Sequence, residues 1–178
     1  FPGLCEFEEM SFVMHYLRSN DLFLDVGANI GAYTVLAAGV TKARVMAFEP
    51  NPRTFSQLRK NLEINQISGQ VRTINAAVGR SPAKLRLTDD LGTENYVITG
   101  AGAGIEVPVW PLDEQLGGEI PKLLKIDVEG FETEAFAGAA RLLGAPALQA
   151  MIVERNNSGA RYGFDEGELH RTIRSAGF

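Results

Sequence analysis

Carboxylate and amide side chains stand at the ends of four apolar stretches of this sequence that read as buried strands. They are Asp25, Glu49, Asp127 with Glu129, and Glu154 with Asn156. Ligands of a parallel α/β sheet bind beyond the carboxyl ends of its strands. A single acid in such a place is typical of a polar loop. Acids at four strand ends instead predict a binding or catalytic site along one edge of the sheet.

The loop after the first of these strands has the sequence GANIG, which distinguishes a dinucleotide site from a site for S-adenosylmethionine. A dinucleotide site uses G-x-G-x-x-G, so that the backbone closes on a pyrophosphate at a helix N-terminus. Here those positions hold Gly27, Asn29 and Ala32, so the fingerprint is broken. Asp25 would repel a pyrophosphate but would suit the sulfonium and ammonium groups of S-adenosylmethionine. Gly27 and Gly31 would let the chain turn tightly beside that cofactor.

Two further residues near this loop have more than one interpretation. Glu49 ends the second strand, where it can accept hydrogen bonds from both ribose hydroxyls. NAD sites place an acid there too, so Glu49 alone does not separate the two cofactors. Asn29 could bind the cofactor through its side chain, or it could simply support a left-handed turn or cap the next helix.

The elements that must position these residues alternate along the chain. Apolar runs predict strands over 22–26, 44–48, 71–78, 123–128 and 147–153. Helical spacing predicts a helix over 7–17 and one around Phe55, Leu58 and Leu62. The stretch 31–38 lacks helix breakers and is predicted to be helical, and the alternation predicts further helices over 132–143 and 166–175.

The region 84–109 departs from this alternation. Short strands there are separated by turn signals at Asp89, Asp90, Gly92 and 100–104, which predicts a small antiparallel excursion. The predicted fold class is α/β, a doubly wound and mostly parallel sheet, in a single domain over residues 1–178.

Composition limits the possible partners. The net charge of −5 and the pI near 5.1 argue against a nucleic-acid binder, which usually carries a basic patch. The single Cys5 excludes an internal disulfide, and no Cys/His pairs have zinc spacing. No apolar run has the length of a membrane span, and the first residues lack a signal-peptide layout. The default expectation is a cytoplasmic enzyme with a small-molecule partner.

Four segments, in this order, resemble the FkbM family of S-adenosylmethionine-dependent methyltransferases: FLDVGANIGAYTVLAA, VMAFEPNPRTFSQLRKNLEIN, VRTINAAVG and LLKIDVEGFE. The resemblance runs from about Asp21 to Glu154. It implies the seven-stranded class I methyltransferase sheet, which is Rossmann-like, and O-methylation of a hydroxyl, often on a sugar or natural product. Residues 88–103 depart most from the family pattern, so the resemblance does not identify the acceptor.

The resemblance also implies roles for individual residues. The cofactor-binding positions that it implies are Asp25, Gly27, Asn29, Gly31, Glu49, Ala77 and Asp127, with Ala77 in the segment that flanks the adenine. Asp127, Glu129 and Gly130 match the fourth-strand motif near the reacting centre.

Methyl transfer to an alcohol requires alignment of the reacting atoms and a base for the hydroxyl proton. Asp127 and Glu129 are the candidate catalytic residues, because neither histidine lies in a strand-end motif. A magnesium-assisted route is an alternative, in which Asp127, Glu154 and Asn156 supply oxygen ligands. The other functions considered are a nicotinamide oxidoreductase and a non-catalytic cofactor-binding module.

The end of the sequence prompts one more expectation. A methyltransferase sheet places its fifth strand beside a hairpin of two further strands, but only 25 residues follow the strand 147–153, and they include the helix 166–175. We therefore expect a chain truncated at its C-terminus, with an open sheet edge that can pair with a second copy.

Overall fold

The computed structural model describes residues 6–88, 96–98 and 103–178. Cys5, the turn signals at Asp89, Asp90 and Gly92, and part of the turn region 100–104 lie outside these residues. Within the described ranges, no helix combines the length and the apolar content that crossing a membrane requires.

Within the described part of the chain, eight strands form two sheets. The strands are β1 (Leu22–Val26), β2 (Arg44–Phe48), β3 (Val71–Ile74), β4 (Ala77–Val78), β5 (Ala83–Leu87), β6 (Ile105–Trp110), β7 (Leu123–Ile126) and β8 (Ala150–Val153). The main sheet is parallel throughout and has the order β3-β2-β1-β7-β8, which places β1 at its centre. Every residue of β1 and β7 is buried, which explains their continuously apolar character.

Helices cover both faces of the main sheet. They are α1 (Phe7–Tyr16), α2 (Ala32–Leu36), α3 (Pro52–Ile64), α4 (Leu112–Gln115), α5 (Glu132–Ala137), α6 (Ala140–Leu143) and α7 (Glu166–Ser175). Alternate strand residues point to opposite faces, so the central strands contribute side chains to two apolar clusters, one on each face of the sheet. Phe23 and Leu123 pack with residues of α1 and α3, whereas Leu24 and Leu124 pack with residues of α4 to α7. The doubly wound α/β fold is confirmed.

Beyond small shifts of their ends, such as the later start of β8 at Ala150, three predicted elements differ from the observed ones in continuity or helix type. The strand predicted over 71–78 divides at Asn75, whose Nδ2 donates to the carbonyls of Glu49 and Pro50 at 2.8 and 2.9 Å. Its first half stays in the main sheet as β3, and its second half becomes β4. The helix predicted over 132–143 divides into α5 and α6, and the helix predicted over 31–38 continues as a π-helical turn, Ala37–Thr41.

The excursion is a small sheet of mixed direction. Its order is β4-β6-β5, in which β5 is antiparallel to β6, as expected, and β4 is parallel to β6. This sheet brings Ala77 and Leu87 beside the carboxyl ends of the main strands.

Strand β8 lies at the edge of the main sheet. Among the described residues it pairs with β7 alone, as expected of an open edge. Truncation of the chain, and pairing of this edge with a second copy, stay predictions.

Candidate active site

A cleft opens at the carboxyl ends of β1, β2 and β7. Six of the predicted site residues line it: Gly27, Asn29, Glu49, Ala77, Asp127 and Glu129. The wall of the cleft also includes apolar and aromatic side chains: Leu87 of the small sheet, Tyr96 and Val97 from the segment between β5 and β6, and Phe131, which directly precedes α5. The predicted site therefore comes together from strand ends that are far apart in the sequence, as the parallel topology requires.

Glu49 follows β2 and binds the two neighbouring loops through both carboxylate oxygens. Its Oε2 accepts from the Asn29 amide at 3.0 Å, and its Oε1 accepts from the Asn51 amide at 2.8 Å. The residue is only 7% exposed, and this burial raises the pKa of Glu49 to about 7. An ionised carboxylate has about four lone-pair sites, so both oxygens can still accept from ligand hydroxyls.

Gly27 brings the first loop into backbone contact with the loop after β7. Its φ is +80°, and a Cβ there would lie 1.7 Å from the Asp127 carbonyl oxygen. The amides of Gly27 and Ala28 both donate to the Phe48 carbonyl, at 3.0 and 2.8 Å. Only glycine fits this left-handed conformation and close approach, which fix the three loops relative to one another.

Asn29 and Gly31 shape the turn that follows. Asn29 has φ +53°, and its Oδ1 accepts from the Ile30 amide at 2.8 Å, so its side chain supports the left-handed turn. Asn29 also lines the cleft, and a role in cofactor binding stays a prediction. Gly31 precedes α2 and packs against Leu58 of α3, and it does not line the cleft.

Asp25 lies inside the protein rather than on the wall of the cleft. It is fully buried, and its Oδ2 accepts from the Thr34 hydroxyl at 2.6 Å. Alternation along β1 places it on the side of Phe23, facing the layer of α1 to α3. Burial raises the pKa of Asp25, and the charge of Lys125 opposes this shift. Contact of Asp25 with a cofactor stays a prediction, and this position favours an indirect effect.

Three carboxylates meet near the reacting centre that the sequence predicts. One oxygen from each of Asp127, Glu129 and Glu154 lies within 4.8 Å of the others. Burial, followed by the charge of Asp127, raises the pKa of Glu154 to about 8. The Asn156 Oδ1 accepts from the Ser158 amide at 2.9 Å. An acidic cluster by itself does not assign a metal, so the magnesium alternative stays a prediction.

Residues 25–178 match the profile of the methyltransferase FkbM domain family. The chain belongs to this family. Hexuronic acid methyltransferase AglP of Haloferax volcanii is 30% identical to this FkbM domain over 160 residues, which cover 84% of this chain and 62% of the relative. Methyltransferase 1 of Beauveria bassiana is 30% identical over 147 residues, 67% of this chain and 58% of the relative. The chain thus spans about 60% of the length of these curated relatives.

A third relative is similar over a shorter stretch, and two solved structures have a similar fold. The 31-O-demethyl-FK506 methyltransferase FkbM of Streptomyces tacrolimicus is 44% identical over 59 residues, 31% of this chain and 22% of the relative. Precorrin-6y C5,15-methyltransferase of Geobacter metallireducens has a TM-score of 0.59 at 14% identity, covering 97% of this chain and 72% of that one. Precorrin-8w decarboxylase of Methanobacterium thermoautotrophicum has a TM-score of 0.59 at 19% identity, covering 99% and 75%. These two structures show the fold alone.

Sequence reasoning missed two charged residues that shape the site of this FkbM domain. Glu132 begins α5, and its Oε1 accepts from the amides of Val128 and Gly130 at 3.1 and 3.2 Å, which holds the loop after β7. Lys125 is buried in β7 and donates to the Asp127 Oδ2 at 2.8 Å. Its signal in the sequence is a lysine within an apolar strand, two residues before an aspartate.

Proposed function

We propose that this FkbM domain is an S-adenosylmethionine-dependent methyltransferase that methylates a hydroxyl oxygen of a small molecule. The observation that carries the proposal is the charge of the cleft. Its described lining includes Glu49, Asp127 and Glu129 but no Lys, Arg or His. A cofactor that carries phosphates would meet only like charge there, whereas a cationic cofactor without phosphate would be attracted.

The residues present fit S-adenosylmethionine part by part. Glu49 offers two carboxylate oxygens to a pair of ribose hydroxyls, and each such bond to a charged group is a strong one. Ala77 and the buried Ala76 offer an apolar surface of the kind that a purine ring packs against. Gly27 has no side chain to keep the cofactor away from the loop.

When bound, the cofactor supplies a methyl group that is already activated for displacement. The remaining work falls to residues of this chain, which must align the acceptor oxygen and take its proton. Asp127 and Glu129 line the cleft and are the candidate proton acceptors. A positioned base of this kind contributes typically about 10²–10⁴-fold to the rate.

The acceptor that we propose is a hydroxyl on a sugar or a natural-product-like molecule. The names of two relatives support this class, since one acts on hexuronic acid and another on 31-O-demethyl-FK506. Tyr96 and Phe131 support it too, because aromatic side chains in the cleft wall give such ligands an apolar surface to pack on.

Several finer expectations stay part of this proposal. We expect a cytoplasmic protein without a nucleic-acid partner, and possible pairing of two copies through β8. Magnesium dependence is tested by repeating the activity measurement with EDTA and then with magnesium restored.

The experiment is calorimetry with S-adenosylhomocysteine and, separately, with NAD. Binding of S-adenosylhomocysteine together with failure of NAD to bind is the expected result, and the reverse would overturn the proposal in favour of an oxidoreductase. A screen of sugars, macrolides and phenols with labelled S-adenosylmethionine then identifies the acceptor. Tight cofactor binding without methylation across the panel would favour a non-catalytic module.

A further inference from the structure

Lys125 is a buried ammonium group in the most enclosed part of the main sheet. Its side chain is 5% exposed, and it lies on β7 between Leu124 and Ile126, which are fully buried. The parallel register pairs Lys125 directly with Asp25 on β1. Asp127 follows two residues later, so its side chain lies on the same face of the sheet as that of Lys125.

Lys125 contacts Asp127 and the Tyr33 ring of α2. Its Nζ donates to the Asp127 Oδ2 at 2.8 Å and lies 4.8 Å from the centroid of the Tyr33 ring. Burial alone would lower the pKa of Lys125, but the carboxylates of Asp25 and Asp127 outweigh burial and raise it. The side chain therefore keeps its positive charge.

The negative charge of Asp127 is balanced mainly by Lys125. Lys125 is the one Lys or Arg within the described ranges that forms an ion pair with it. The other charged groups that interact with Asp127 are acids, namely Asp25, Glu49, Glu132 and Glu154. Without the ammonium group, no Lys or Arg among the described residues would form an ion pair with the Asp127 carboxylate.

Asp25 needs the same ammonium group for a different reason. It is fully buried, Thr34 bonds only its Oδ2, and no hydrogen bond reaches its Oδ1 from the described residues. A buried carboxylate is tolerated when a charge of opposite sign stands beside it. The positive charge of Lys125 thus serves a structural acid on β1 and a cleft-lining acid on β7.

We propose that Lys125 is the positioning residue of the reacting centre, because its ammonium group holds one oxygen of Asp127 and thereby orients this carboxylate at the wall of the cleft. Lys125 does not line the cleft and acts through Asp127. The inference rests on the proposed function, since it assigns Lys125 a role in cofactor binding and methyl transfer.

The test compares the intact domain with Lys125→Met, Asp127→Asn and the double variant, using the affinity for S-adenosylhomocysteine measured by calorimetry. We expect Lys125→Met to weaken binding about tenfold, and the double variant to bind no more weakly than its weaker parent, because interacting residues give non-additive effects. Lys125→Arg should recover part of the loss. Losses that simply add, or a Lys125→Met variant that binds like wild type, would overturn the inference.

Lys122→Met is the matched control. Lys122 also pairs with an aspartate, with its Nζ 2.7 Å from the Asp21 Oδ2, but it precedes the opposite end of the same strand. Its removal should leave the affinity within about twofold of wild type, as expected of a partly exposed pair remote from the cleft. A loss as large as that of Lys125→Met would show that the affinity does not report on Asp127.

The pair formed by Lys125 and Asp25 distinguishes a role of Lys125 in positioning Asp127 from a role in stabilising the fold. Lys125→Met leaves Asp25 buried without its partner, so that variant is expected to lose stability, whereas Lys125→Met with Asp25→Asn removes both charges. The combined variant should regain thermal stability but not the affinity for S-adenosylhomocysteine. Recovery of both would make Lys125 purely structural and overturn the inference. Failure of wild type to bind S-adenosylhomocysteine would instead overturn the proposed function itself.

Discussion

Replacing Glu49 by glutamine tests the site most directly, because it keeps the shape of the side chain and removes one acceptor. In the native loop, the two carboxylate oxygens accept from the amides of Asn29 and Asn51. A glutamine amide presents an NH₂ group to one of them and leaves that backbone donor without a partner. The cost in the free energy of unfolding is about 1–3 kcal/mol for one such unsatisfied group.

The same substitution removes a charged acceptor from the ribose side of the cleft. A hydrogen bond to a charged group is worth about 1.5–3 kcal/mol, which corresponds to about a 10- to 150-fold loss of affinity for S-adenosylhomocysteine. Calorimetry at pH 8, where most of the wild-type Glu49 is ionised, measures this loss.

The pH dependence provides a second readout with a defined sign. Burial raises the pKa of Glu49 to about 7 from an ordinary value of 4.5. Its contribution to stability is therefore full below about pH 4.5 and is lost as the pH rises through 7. Ligand affinity should change in the opposite direction and rise through pH 7, since the ionised form accepts from both hydroxyls. If the ligand affinity of Glu49→Gln still depends on pH, the titrating group is a different one, such as Glu154, whose pKa is raised to about 8.

Glu132→Gln is the matched control for this experiment. Glu132 is also buried and also accepts from two backbone amides, but it does not line the cleft. Both amides donate to the same Oε1, which a glutamine retains, so Glu132→Gln should cost less stability than Glu49→Gln and cause a smaller loss of affinity. Equal losses of affinity in the two variants, or wild-type binding by Glu49→Gln, would refute the assignment of Glu49 to the ribose.

Three further substitutions have defined outcomes. Gly27→Ala places a Cβ 1.7 Å from the Asp127 carbonyl oxygen at a φ of +80°. A left-handed conformation alone costs a non-glycine residue roughly 1–2 kcal/mol, and the clash adds to this cost, so the loss in free energy of unfolding should be larger. The variant should have a lower melting temperature and should not bind S-adenosylhomocysteine. Asp127→Asn should lower turnover more than cofactor affinity, and equal losses would make Asp127 mainly a cofactor ligand. Tyr162→Phe removes the hydroxyl that accepts from the Val97 amide at 3.0 Å; it should cost about 1 kcal/mol of stability and raise the acceptor KM while leaving cofactor affinity unchanged.

Much of the fold could be predicted because local pattern and tertiary position agree. The strands 22–26 and 44–48 have the predicted bounds, since each is a short apolar run buried on both faces. The run 71–78 is less apolar, since it contains Arg72 and Thr73, and it divides at Asn75. What divides it is the side-chain contact of Asn75 with the Glu49 and Pro50 carbonyls, which no local pattern predicts.

The site shows the same limit. Glu49 and Asp127 could be predicted because strand-end acids of a parallel sheet converge by topology alone. The location of Asp25 could not, because its side chain faces the helical layer, and the sequence does not show which face of a central strand lies beneath the cleft. Lys125 stands opposite Asp25 only through the register of β1 and β7, which are about 100 residues apart in the sequence. Tyr96 and Val97 come from the region that departs most from the family pattern, and no motif marks them.

The contact between Gly27 and the Asp127 carbonyl has a consequence for attempts to alter acceptor choice by exchanging loops between relatives. Its spacing leaves no room for any side chain, so the backbone paths of the two segments are mutually dependent. If only the segment after β7 were exchanged, its backbone carbonyl could lie in a position that does not fit the loop at Gly27. Chimeras should therefore exchange both segments together, with the β2 terminus that anchors them, and should leave the wall around Tyr96 as the part that can be varied independently.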